Sequence, residues 1–132
     1  MDRRIFLSRV GALFGGILVA APVVVQAVTQ RRVELLRSPV AGFQYHKGQE
    51  IWASLRVGDV LTLVRETENK YDQRAVRVEW QGHKLGYVPR LDNASVCHLL
   101  DSGSQRLETE IVVLNVSNNP WERIAFVVHL IV

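Results

Sequence analysis

Residues 61–89 read LTLVRETENKYDQRAVRVEWQGHKLGYVP, and the pattern in this stretch decides the fold. Leu61, Leu63 and Arg65 alternate with Thr62, Val64 and Glu66, and Val76, Val78 and Trp80 alternate with Arg77 and Glu79. A period of two is that of a strand with one face buried. Gln81-Gly82 makes a short turn into a third strand over His83–Val88, so the second and third strands form a hairpin. The loop between the first two strands, Thr67–Asp72, sets an aromatic ring and a carboxylate side by side, directly before a buried strand.

Working outward, Val40–His46 reads as an extended strand, with Phe43 and Tyr45 on one face and Gln44 and His46 on the other. Gly48 ends it. Glu50–Leu55 is a short helical turn in which Ile51, Trp52 and Leu55 share a face. Val57-Gly58-Asp59 turns the chain into a strand over Val60–Glu66. Downstream, Arg90–Leu100 changes period. Ala94, Cys97 and Leu100 recur at three, with Val96 and Leu99 beside them, as on an amphipathic helix. Asp92 or Asn93 is placed to cap its start and Gly103 to end it. Leu107–Val116 and Trp121–Val132 return to strand character around a Ser117–Pro120 loop. Six or so short strands with one or two short helices predict a mostly β fold, a small antiparallel β-barrel. Periodicity alone fits several such barrels.

The N-terminus has a different character. Met1–Arg9 is basic, Val10–Val25 is an uncharged apolar run too short for a comfortable membrane helix, and Val25-Gln26-Ala27 has small residues spaced for signal-peptidase cleavage. Arg3-Arg4-Ile5-Phe6-Leu7 has the paired arginines of a twin-arginine export signal. The expected organisation is a signal peptide or N-terminal anchor over 1–27, a linker over 28–39 and one domain over 40–132. The expected location is the periplasm or the inner membrane, with membrane contact only through an uncleaved N-terminal segment. The full chain has 16 basic and 13 acidic side chains. Residues 1–27 hold Arg3, Arg4, Arg9 and Asp2, so 13 basic and 12 acidic residues remain, a net of +1. The basic balance thus belongs to the leader, and an anionic partner must be held by a local patch.

Catalysis finds little support. No Gly-rich phosphate loop is present. His46, His83, His98 and His129 are scattered without zinc-ligand spacing. The single cysteine, Cys97, falls on the apolar face of the helix, where burial is expected. Asp72 has no second carboxylate or nucleophile placed beside it. The chain reads as a non-enzyme with no cofactor and no metal.

Four segments carry a family resemblance, in order along the chain. Asn69-Lys70-Tyr71-Asp72-Gln73-Arg74-Ala75-Val76-Arg77-Val78 resembles the N-x-Y-D-x-x-A-[VI]-x-V signature of the HIRAN domain family. Gly42-Phe43-Gln44-Tyr45-His46-Lys47-Gly48 resembles that family's G-[LF]-R-Y-[YH]-x-G segment. Leu61–Glu66 is similar to the strand before the signature loop, and Lys84-Leu85-Gly86-Tyr87-Val88-Pro89 to the strand after it. The resemblance covers about residues 40–130. It implies a modified oligonucleotide-binding or SH3-like barrel that grips the free 3′ end of single-stranded DNA. On that basis Tyr45 and Tyr71 would stack on bases, and Asp72 would accept hydrogen bonds from the terminal sugar hydroxyl. Lys47, Lys70 and Arg74 are assigned to phosphates from their proximity in sequence.

Two positions depart from the family pattern. Gln44 stands where the family has arginine, and Tyr87 where some members have histidine. Both changes remove positive charge from the expected site. The competing expectation has Tyr45 and Tyr71 packing the core while Asp72 caps a turn or pairs with Arg74. On that reading the chain is an exported envelope barrel that binds a protein, glycan or small ligand. A third and weaker reading is an accessory to a hydrolase acting on nucleic acid or nucleotides.

Overall fold

The computed structural model describes residues 30–43, 48–103 and 106–132. Six antiparallel strands form one sheet: β1 (Arg32–Pro39), β2 (Val60–Arg65), β3 (Val76–Trp80), β4 (His83–Tyr87), β5 (Arg106–Leu114) and β6 (Ile124–Ile131). Their order across the sheet is β1-β6-β5-β2-β3-β4. A short helix, α1 (Gly48–Ile51), runs into a 3₁₀ turn at Trp52–Ser54, and α2 (Ala94–Ser102) lies between β4 and β5.

The hairpin forms where the sequence places it. Gln81 and Gly82 both have positive φ, 47° and 83°, the conformation that matches a two-residue connection to the twist of its strands. Val76 and Val78 point inward and are fully buried, whereas Arg77 and Glu79 stay partly exposed. Leu61, Leu85, Val96, Cys97, Ile111, Ile124, Phe126 and Val128 complete the core with Val40, Phe43 and Leu55. Gly103 ends α2 in a left-handed conformation, its N–H donating to the Leu100 carbonyl. Among the described residues no helix is long and apolar enough to cross a membrane.

Two expectations change. Residues 32–39, expected as linker, form β1, which pairs with β6 from Arg32↔Ile131 to Pro39↔Ala125. A bulge between Glu34 and Leu36 breaks the alternation that would have marked this strand. The mostly β antiparallel fold is as expected, but the sheet of the expected barrel does not close. β2 pairs with β5 only through Val60 and Leu61, then follows β3 from Thr62 to Arg65. The sheet therefore splays after Leu61, leaving β1 and β4 as separate edges.

The two edges meet at one point. Ala41, just beyond β1, exchanges two backbone hydrogen bonds with Tyr87 of β4, at 2.8 and 2.9 Å. Gly86 permits this approach. A Cβ there would collide with the Ala41 carbonyl oxygen and the Val40 side chain, and the backbone has φ 156°. Of the strand expected over Val40–His46, Ala41 keeps this bridge and Gly42 turns at φ 75°. Residues 44–47 lie outside the described set.

Candidate nucleic-acid interface

The loop from Glu66 to Ala75 is shaped by its own polar side chains. Asn69 Oδ1 accepts the backbone N–H groups of Tyr71 (2.8 Å) and Asp72 (3.0 Å), a side-chain mimic of a backbone turn. Asp72 repeats the device with Oδ1, which accepts the Arg74 N–H at 2.9 Å. Its other oxygen, Oδ2, accepts Asn93 Nδ2 at 2.8 Å and lies 3.8 Å from Arg90 Nε. Arg90 Nη2 also donates to the Tyr71 carbonyl at 2.6 Å. Arg65 holds the far side of the loop, donating to the Gln73 and Ala75 carbonyls and to Asp101.

These contacts leave Tyr71 86% exposed, with the Asp72 carboxylate beside it mostly covered. A groove of about 290 Å³ opens between them, Asn69, Tyr87 and Arg90, lined also by Ala41, Ala75 and Val88. Its volume lies at the small end of the roughly 300–1,000 Å³ usual for ligand sites. It offers one exposed aromatic ring, one carboxylate with its orientation fixed and one exposed guanidinium.

A second cluster backs the groove. Glu66 Oε1 accepts Asn69 Nδ2 at 3.0 Å and the Tyr87 hydroxyl at 2.8 Å, while Oε2 accepts Arg77 Nη1 at 2.9 Å. Lys84 Nζ donates to the Tyr87 oxygen at 2.6 Å and sits 4.4 Å over the Tyr87 ring. Burial pushes the Glu66 carboxyl up, but the hydrogen bonds from Asn69, Tyr87 and Arg77 and the Lys84 charge outweigh it. The carboxyl is held below the usual carboxylate range. Burial instead raises the Cys97 thiol, the largest influence on a side chain that also faces Arg65 and Asp101.

Of the residues expected at the site, Tyr71, Asp72 and Tyr87 come together in the groove. Tyr71 does not pack the core, and Asp72 shapes the turn while still lining the groove. One face of the Tyr87 ring is taken by Lys84, so Tyr71 is the freer stacking surface. Lys70 and Arg74 are exposed and are not among the groove-lining residues. Gln44, Tyr45 and Lys47 lie outside the described residues, three to six positions beyond groove-lining Ala41. Arg90 and Asn93 were not foreseen as site residues. Asp92 or Asn93 was expected to cap α2; Asn93 occupies the cap position, but it makes no side-chain cap and its Nδ2 donates to Asp72.

The family model for the HIRAN domain matches residues 33–130. The chain belongs to the HIRAN domain family. This family is associated with DNA binding. The match begins within β1, seven residues upstream of the domain boundary expected from the sequence. Among solved structures, the chain is 30% identical to a protein from Lactobacillus plantarum, with a TM-score of 0.65 over 78% of this chain and 98% of that one. It also resembles the HIRAN domain of human HLTF, at 18% identity and a TM-score of 0.56 over 76% of this chain and 77% of that one. The latter likeness is one of fold. No curated protein sequence matches the chain significantly. The six-stranded antiparallel sheet is thus a HIRAN fold, with its signature loop forming the groove wall.

Proposed function

We propose that this HIRAN domain binds single-stranded DNA at a free 3′ end, in the groove beside Tyr71. The observation that carries the reading is the pairing of a solvent-facing Tyr71 ring with a partly covered Asp72 carboxylate whose orientation is fixed by Arg74 N–H and Asn93. The ring takes a base by stacking, worth about 1–3 kcal/mol per base. Asp72 accepts a hydrogen bond from the terminal sugar hydroxyl. A phosphate in that place would set negative charge against the carboxylate and be repelled. Arg90 supplies the donor fork that suits the adjacent phosphate. The protein in this reading binds and does not cleave.

A fluorescent single strand ending in a 3′-hydroxyl, compared with the same strand ending in a 3′-phosphate, tests the proposal. Tighter binding of the hydroxyl end supports it. Equal weak binding of both, falling together with salt, rejects end recognition and favours a groove for another ligand. We further propose that residues 1–27 direct export. A chain beginning near Val28 in an envelope fraction supports that, and an intact chain confined to the cytosol rejects it.

A further inference from the structure

We infer that Glu66 is a positioning residue that sets the two walls of the groove against each other, an inference that rests on the strand-end reading above. One oxygen of this carboxylate, Oε1, binds both Asn69 Nδ2 and the Tyr87 hydroxyl. Asn69 in turn fixes the N–H groups of Tyr71 and Asp72, which form one wall. Tyr87, on β4, lines the groove and is the residue bridged to Ala41. One acceptor atom therefore bonds to both the loop wall and the strand wall. The other oxygen holds Glu66 itself in place through Arg77, which Glu79 anchors at 2.6 Å. Glu66 is only 20% exposed, so water is poorly placed to substitute for it. Neither its backbone nor its side chain lines the groove, so its influence on a ligand runs through Asn69 and Tyr87.

The test uses the full chain and two substitutions. Glu66→Ala removes both acceptor oxygens. Glu66→Gln keeps Oε1 for Asn69 and Tyr87 but gives up the ion pairs with Arg77 and Lys84. Two readouts are taken: amide hydrogen exchange at Tyr71 and Asp72, and affinity for a 3′-hydroxyl strand. In Glu66→Ala, exchange at these two amides is expected to quicken about tenfold while Val76 and Val78 in β3 keep their protection. Affinity is expected to fall about tenfold, equivalent to ~1.4 kcal/mol. Glu66→Gln restores most of both. Unchanged exchange at Tyr71 and Asp72 in Glu66→Ala overturns the inference, whatever the DNA does. So does faster exchange with wild-type affinity. An Asp72→Asn arm separates the two levels. If that substitution leaves end preference unchanged, the strand-end reading fails and takes the functional half of the inference with it. If Asp72→Asn abolishes end preference while Glu66→Ala binds normally, the inference alone fails.

Discussion

Replacing Tyr71 with alanine separates a binding role from a packing role, because the structure predicts opposite outcomes for the two. The ring is 86% exposed, so its loss removes almost no buried surface. The loop keeps its shape, since Tyr71 contributes to it through its backbone: the N–H donates to Asn69 Oδ1 and the carbonyl accepts from Arg90. Alanine retains both groups. The expected change in stability is that of a surface substitution, within about 0.5 kcal/mol. The expected change in DNA binding is the loss of one stacked base, about 1–3 kcal/mol. That corresponds to a rise in Kd of roughly 5- to 150-fold. Thermal melting and fluorescence anisotropy with a labelled 3′-hydroxyl strand measure the two quantities on the same preparation. A melting temperature that drops by many degrees would refute the exposed placement of the ring. An unchanged Kd with an unchanged melting curve would refute stacking on Tyr71.

Three further outcomes follow from the geometry. Gly86→Ala, which drives a methyl group into the Ala41 carbonyl and the Val40 side chain, should destabilise the fold by roughly 1–3 kcal/mol in urea titration; wild-type stability would mean that the edges do not meet there. Glu66 has its folded-state value below its ordinary 4.5, so its contribution is present above that pH and is lost as pH falls through the folded value. Acid unfolding should therefore be shallower over that window in Glu66→Gln than in wild type, and identical profiles would remove Glu66 as a contributor. Binding should depend only modestly on salt. Lys47 stands near the groove in sequence, and Lys70, Arg74, Lys84 and Arg90 stand near it among the described residues, so at about 0.7 per phosphate contact the slope of log K against log salt should be no steeper than about −3.5, and Arg90→Ala should reduce it by about 0.7.

What the sequence made legible is what local physics controls. Gln81-Gly82 between two alternating runs specifies the hairpin. Whether the Tyr71 ring faces solvent or the core was left open by the sequence; the turn built from Asn69 and Asp72 side chains is what holds it outside the sheet. Gly103 ends α2 for an equally local reason. What stayed hidden depends on partners distant in sequence. β1 carries a bulge that interrupts its alternation, and it is held by β6 at the other end of the chain. Whether the sheet closes turns on β2 leaving β5 after Leu61, which no periodicity records. Asn93 has the residue type and position of a helix cap, yet its Nδ2 is committed to the Asp72 carboxylate and its Oδ1 makes no cap hydrogen bond. Arg90 likewise joins the site because the turn after β4 brings it to Tyr71 and Asp72.

The most direct measurement is an amide chemical-shift titration of the full chain with a short single strand bearing a free 3′-hydroxyl. Shifts are expected to concentrate at Tyr71, Asp72, Ala75 and Arg90, and to shrink sharply when the same strand ends in a phosphate. Shifts centred on another face of the sheet, or identical for the two ends, would contradict the groove beside Tyr71 as the place where a strand terminus is held.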